Sequence, residues 1–199
     1  MEPSSNVLSQ YPISESLVRV RLGSVKTVAT MEAGQSERLR IVPIAIQYAA
    51  DLFNALDDPR VGTYIGGPNA ASSAAYARLI KHWINGPSAD SGEVWFNWVV
   101  LLAEEPIGHL QSTTHDDVAE VAYVFTPAHW GKGYATEATT WMLTKLKQLG
   151  AREAWATVEP SNAASKRLLR RLEFQRSLHP RDDLRSYDPG DEVYWTQLH

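Results

Sequence analysis

From Glu37 onward the chain switches repeatedly between two hydrophobic periods. RLRIVPI (38–44) carries the short apolar core of a strand, with Pro43 where a first helical turn tolerates proline. Ala49, Leu52, Phe53 and Leu56 recur at three- and four-residue intervals, the stripe of an amphipathic helix closed by Asp57-Asp58-Pro59. Tyr76, Leu79, Ile80 and Trp83 mark a second helix, stopped by Asn85-Gly86. Val94 to Leu102 is a continuous apolar run, hence a buried strand; EEP (104–106) is a turn and IGHLQST (107–113) the returning hairpin partner. EVAYVFT (120–126) is a third strand. From Tyr134 the stripe Ala135, Ala138, Met142, Leu146 and Leu149 is helical, with Gly150 as its stop. GAREAWATVEP (150–160) is a further strand, and Asn162 to Leu172 a helix with Ala164, Leu168 and Leu172 on one face. A polar loop leads to a terminal strand, EVYWTQL (192–198).

This order predicts an α/β fold built on a mixed sheet. One parallel βαβ unit joins strands 119–126 and 152–158. Residues 1–36 are rich in Ser, Glu and Val and hold one alternating stretch, LVRVRLGSVKTV (17–28). They read as a loose N-terminal extension ahead of a domain spanning 37–199.

Composition narrows the function classes. Apolar residues at 44% and charged residues at 21% are those of an ordinary globular chain, and 199 residues make one domain with a real core. The net charge of −4 opposes a duplex-binding surface, which needs clustered Lys and Arg to displace counterions. The longest apolar run, Trp98 to Ala103, falls far short of the ~18 residues of a membrane span. The start, MEPSSNV, lacks the basic and apolar regions of a secretory signal. Cysteine is absent, which removes disulfides, thiolate metal sites and Cys nucleophiles and fits a cytoplasmic protein. No H-E-x-x-H, G-x-S-x-G or G-x-x-x-x-G-K-[ST] motif occurs, so the expectation is no metal, no nucleic acid and no membrane.

The informative stretch is PAHWGKGYATEAT (127–139), where a strand ends, two glycines two apart make a tight turn, and a helix begins. Backbone N–H groups in such a turn, with the dipole of the following helix, suit a phosphate or pyrophosphate. Two other readings stand beside this one. Gly131-x-Gly133 approaches a dinucleotide fingerprint, but Thr136 replaces its third small residue and Glu153 begins the next strand instead of ending it. The turn could also merely cap a helix. A second constellation, VEPSNAASKRLLRRLEF (158–174), sets Asn162 and Ser165 one turn apart where a helix follows a parallel strand.

Together, WGKGYATEA and the Asn162–Ser165 segment resemble the GNAT acyltransferase superfamily, and within it the RimJ/RimL-type N-acetyltransferases. The resemblance runs from SERLRIVPI (36–44) to the terminal strand and includes DDPRVGTYIG (57–66). Trp130 stands at the first position of the pyrophosphate loop, as is usual in this branch. Departures are Glu173-Phe174 in place of Gly-Phe and Ala122 where Gly is common.

The resemblance implies a GNAT fold: a mostly antiparallel sheet, helices on both faces, and one parallel pair splayed to admit acetyl-CoA. It implies pantetheine contacts from the backbone of Val124, Phe125 and Thr126, with one N–H polarising the acetyl carbonyl. Pyrophosphate would sit on Gly131, Lys132, Gly133, Tyr134, Ala135 and Thr136, and Asn162 would meet the pantetheine arm or cap its helix, with Ser161 as the alternative cap. Ser165 stands where this branch carries a serine that assists the leaving thiolate. Glu120 is the expected general base, with Asp182 and Asp183 in reserve. Gln111 is the expected acceptor contact. The acceptor is a small-molecule or peptide amine, drawn by Asp57, Asp58, Asp182, Asp183, Asp188, Asp191 and Glu192 unless Arg60, Arg181 and Arg185 neutralise them. A larger acyl-CoA donor and a non-catalytic CoA-binding module are the alternatives, and the assembly is a monomer or homodimer.

Overall fold

The apolar run over Glu93–Leu102 and its partner Glu105–His115 lie inside the sheet, each paired on both edges and mostly buried. The structure, a computed structural model, describes residues 16–22, 25–64 and 70–199. Its strands are β1 (Ser16–Leu22), β2 (Val25–Met31), β3 (Gly34–Gln35), β4 (Arg40–Pro43), β5 (Glu93–Leu102), β6 (Glu105–His115), β7 (Val118–Phe125), β8 (Glu153–Val158), β9 (Gln175–Ser177) and β10 (Glu192–Gln197). The helices are α1 (Ala49–Leu56), α2 (Pro59–Gly62), α3 (Ser73–Asn85), α4 (Tyr134–Gln148) and α5 (Ala163–Arg171). Strands β3 to β10 form one sheet in the order β3-β4-β5-β6-β7-β8-β10-β9, while β1 and β2 pair as a separate antiparallel hairpin. Within the large sheet only β7 and β8 run parallel. This is the mixed α/β architecture expected from the sequence.

Strand alternation sorts side chains onto two covered faces. Val94, Phe96, Trp98 and Val100 of β5 pack with Ala138, Met142 and Leu146 of α4 and Leu169 of α5. Val99 and Leu101 point the other way, onto Leu52 of α1 and Tyr76 and Ile80 of α3. Capping accounts for the helix starts: Ser72 accepts from Ala75 N, and Asp58 accepts from Arg60 N with Pro59 at the first helical position. Among the described residues, no helix is long and apolar enough to cross a membrane.

Several elements differ from the sequence-based expectation. Pro43 ends β4 opposite Trp98 and starts no helix. The two-residue β3 pairs only with Arg40 and Ile41, so Pro43 lies past the reach of that neighbour and its missing N–H costs no bond there. Strand β9 has no apolar alternation to betray it; it forms because β10 offers an edge. Of the extension expected over 1–36, residues 1–15, 23 and 24 lie outside the described residues. The remainder holds β1, β2 and β3, with Met31 buried in the core and the Trp141 ring filling the space a side chain at Gly34 would need. Residues 65–69 of the loop after α2 also lie outside.

His109 on β6 is 4% exposed, and the Trp83 ring of α3 lies with its centroid 4.8 Å away. Burial pushes the imidazole down to about 4 from an ordinary 6.5. The folded state therefore holds the neutral ring while the unfolded chain protonates first. The resulting stability is complete above pH 6.5 and is lost as pH falls towards 4. Between pH 7.5 and 5 this one group should cost about 2 kcal/mol. Urea unfolding of wild type and His109→Leu at the two pH values checks it: the variant's pH dependence should be flatter by that amount, and equal slopes would refute the assignment.

Candidate active site

β7 and β8 begin as hydrogen-bonded neighbours and then part. Their pairing covers Val118 with Glu153, Ala119 with Ala154 and Glu120 with Trp155, and ends there. On its other side β7 stays paired with β6 as far as Phe125, and β8 stays paired with β10 as far as Val158. Each strand is thus held from outside while the edges between them are open. Ala122 is exposed although it lies in the interior of an eight-stranded sheet, so the sheet face beside the gap is uncovered there; Tyr123 and Val124 beside it are half-buried.

The direction of backbone groups along β7 follows from one bond. Thr126 N–H donates to Ile107 O at 2.9 Å, so the N–H of Val124, two residues earlier, also points towards β6. The backbone groups facing the gap are those of Tyr123 and Phe125. Trp130 Nε1 donates to Phe125 O at 2.7 Å, which occupies that carbonyl and seats the indole against the strand end. The expected trio Val124, Phe125 and Thr126 therefore divides, and Tyr123 joins as a wall residue that the sequence reading did not single out.

Beyond Trp130 the chain turns through Gly131 and Gly133, at φ of +74° and +83°, values that an L side chain would strain. A Cβ at Gly131 would meet nothing within 4 Å, and one at Gly133 only the Arg38 guanidinium at 3.4 Å. The space above the turn is open. The first helical bond of α4 is Glu137 N to Gly133 O, so the N–H groups of Tyr134, Ala135 and Thr136 have no carbonyl of the helix to serve. Such an N-terminus is an anion site. Lys132 is exposed on the turn.

Arg38 binds this turn to the sheet. Its Nη1 donates to Lys132 O at 3.1 Å, its Nε to Glu137 Oε2 at 2.7 Å, and its guanidinium lies 4.5 Å from the Tyr134 ring centre. Ser36 Oγ and Arg38 N both donate to Glu137 Oε1 at 2.7 Å. Burial alone would raise the Glu137 carboxyl, but the bonds from Ser36 and Arg38 outweigh it and hold the group below its ordinary range. Residues 94 and 99 apart carry no local signal, so Arg38 was invisible to spacing.

On the opposite wall Asn162 caps α5, its Oδ1 accepting from Ser165 N at 3.0 Å. Ser161, the alternative cap, instead donates its N–H and hydroxyl to Glu159. Ser165 Oγ lies 2.7 Å from Tyr123 Oη, so α5 and β7 touch across the gap. Burial pushes the Tyr123 phenol up to about 12, against the smaller opposing effect of its bond to Ser165.

Glu120 is only 4% exposed and points to the face of β7 opposite Tyr123, the face of Gln111 and Ala122. Its carboxylate accepts from Arg185 N at 2.8 and 2.9 Å, Ser186 N at 2.8 Å and Ser186 Oγ at 2.6 Å, with His115 Nε2 at 3.3 Å. Both oxygens are engaged in holding the loop before β10. The reserve carboxylate Asp183 is clasped by Arg181 at 2.9 and 3.0 Å, which holds it below the usual range. Asp182 is exposed in the same loop, and Gln111 is half-buried opposite Ala122. Three of the seven rim acids are ion-paired: Asp58 with Arg60, Asp183 with Arg181, and Glu192 with Lys166 and Arg176.

Comparison with known proteins fits this geometry. The profile of the acetyltransferase (GNAT) domain matches residues 38–175. An uncharacterized N-acetyltransferase of Bacillus licheniformis, p20, is 30% identical over 172 residues, covering 84% of this chain and 96% of that protein. YkkB of Bacillus subtilis is 26% identical over 172 residues, covering 80% and 92%. Among solved structures, the fold is similar to that of RimL, a ribosomal L7/L12 α-N-protein acetyltransferase in complex with coenzyme A (TM-score 0.69, 16% identity, 84% of this chain and 98% of RimL). A GNAT-family acetyltransferase from Bacillus anthracis matches at TM-score 0.65 and 20% identity, over 82% and 95% of the two chains. A cradle of glycine and helix N-terminus beside a splayed parallel pair, in a chain that this profile spans for most of its length, makes the protein a member of the GNAT family of acetyl-CoA-dependent N-acetyltransferases.

Proposed function

We propose that the chain transfers the acetyl group of acetyl-CoA to the primary amine of a small molecule or peptide, by direct attack with both substrates bound. The observation that carries this is the gap between β7 and β8, whose upper end opens onto the Gly131–Gly133 turn. Its chemistry suits an extended pantetheine arm running from the open strand edges to a diphosphate on the turn. The fit rests on the open space at Gly131 and Gly133 and on the unserved N–H groups of Tyr134, Ala135 and Thr136. Lys132 adds charge at the same place.

The two faces of β7 divide the work. On one face lie Gln111, Ala122 and the loop tied down by Glu120, and the acceptor amine enters there. On the other lies Ser165. As the nitrogen–carbon bond forms and the carbon–sulfur bond breaks, a gap-facing N–H of β7 stabilises the charge on oxygen, and the Ser165 hydroxyl hydrogen-bonds the sulfur as it becomes a thiolate. The amine's proton leaves to water and the thiolate is protonated in turn. Glu120 serves this reading by building the acceptor wall. Taking a proton itself would require Arg185 and Ser186 to release it, since three donors, Arg185 N, Ser186 N and Ser186 Oγ, already hold its two oxygens. Asn162 holds the start of α5, and so the place of Ser165.

Three outcomes are expected. Gly133→Val strains a positive φ and puts methyl groups into the cradle, so CoA affinity by calorimetry should fall at least tenfold; unchanged affinity would remove the turn from the donor site. Ser165→Ala should lower kcat while leaving the KM for acetyl-CoA nearly intact, the mark of an interaction made mainly in the transition state, and a change confined to KM would make it a binding residue only. Glu120→Ala strands buried donors and should cost roughly 2 to 4 kcal/mol in thermal or urea unfolding. If Glu120 is an anchor, the milder Glu120→Gln should raise the acceptor's KM and keep the acidic limb of the pH–rate profile. Loss of that limb would return Glu120 to the role of base.

A further inference from the structure

We propose that Tyr123 is a positioning residue for Ser165: its phenol donates to Ser165 Oγ and leaves the serine's own proton directed into the gap between β7 and β8. This rests on the reading of Ser165 as the group that meets the leaving sulfur. The two oxygens are 2.7 Å apart and join the two walls of the gap, one from β7 and one from the helix that follows β8.

A serine hydroxyl has one proton and is a free rotor, so what it donates to depends on what else it touches. Helical hydroxyls ordinarily turn back on their own helix. In α4, Thr140 Oγ1 donates to Thr136 O at 2.9 Å and Thr144 Oγ1 to Thr140 O at 3.0 Å. Ser165 is the third residue of α5, and the carbonyl four residues back, that of Ser161, precedes the helix. Its backbone N–H is already given to Asn162. The phenol is the partner the hydroxyl finds instead.

Which oxygen donates follows from the surroundings. Among the described residues the phenol has no hydrogen-bond partner besides Ser165 Oγ, so if Tyr123 accepted, its own proton would be left without an acceptor in the protein. With the phenol donating, Ser165 Oγ–H is left for a ligand. The phenol stays protonated across the working range, since burial pushes it up to about 12, so it keeps a proton to donate to the serine. Ala122 and Val124, the neighbours of Tyr123, face the other way, and Tyr123 makes the hydrogen bond from the open stretch of β7 to α5.

The test is a double-mutant cycle on the full chain with acetyl-CoA and a responsive amine. Tyr123→Phe keeps the ring and removes only the hydroxyl. It should lower kcat about tenfold, the worth of one hydrogen bond, with the acetyl-CoA KM changed less than twofold. In a Ser165→Ala background, Tyr123→Phe should lower kcat no further, because the hydroxyl it positions is gone. Calorimetric CoA affinity and a thermal melt of each variant check that the cleft is intact. If Ser165→Ala lowers kcat but Tyr123→Phe leaves it unchanged, or if the two losses multiply, Tyr123 does not act through Ser165 and the inference falls while the reading of Ser165 stands. If Ser165→Ala leaves kcat unchanged, the reading of Ser165 falls and this inference with it.

Discussion

Three paired positions between β7 and β8, and no more, are the constraint on which the rest of this molecule turns. A parallel pair that continued to the strand ends would satisfy its own backbone groups and leave nothing for a ligand. By parting after Glu120 the strands leave a row of donors and acceptors facing each other at more than bonding distance. Such a row is costly unless water or a ligand fills it. The sheet tolerates the cost because β6 and β10 hold the two walls from outside and α4 and α5 seal the apolar face behind them. The βαβ crossover then starts α4 at the mouth of the gap, so the anion-binding end of a helix and the open strand edges fall at one place.

Around that gap the polar side chains divide into those that hold the scaffold and those left for chemistry. Glu137 and Arg38 fasten the turn to the first strands of the large sheet, and Glu120 fastens the loop before β10. In both cases a carboxylate accepts several short bonds from backbone and side-chain donors, the arrangement that makes a buried or half-buried charge tolerable. Three of the seven acids of the rim are spent on arginine and lysine partners, so the mouth carries less net field than the count of Asp and Glu suggests. Lining the gap itself are backbone N–H groups, the Ser165 hydroxyl and the amide of Gln111, with the exposed Lys132 at the turn.

A direct acyl transfer needs little more. Attack of an amine on a thioester calls for alignment, polarisation of a carbonyl and a stabilised sulfur, all of which fixed dipoles can supply. Pairing through backbone groups also explains why so much of the site falls on the ends of regular elements, where those groups are free by geometry. Side chains then refine it, and Tyr123 and Ser165 do so from opposite walls.

From Glu37 onward the sequence by itself determined the longer elements and their order, because periodicity of two and of 3.6 is a local property that burial imposes on every residue of a strand or helix. It determined the turn as well, since Gly131 and Gly133 occupy backbone conformations other residues avoid, and it marked Asn162 as the residue that starts α5. Short elements escaped it: β9 has three residues and no apolar pattern, and it exists only because β10 lies beside it. The tertiary structure alone decided which side chains meet. Arg38 comes to the turn across a separation of 94 residues, and Tyr123 meets Ser165 across 42. Glu120 found its donors in a loop 65 residues on. Contacts of that kind follow from how the whole sheet twists and closes, and no local spacing records them.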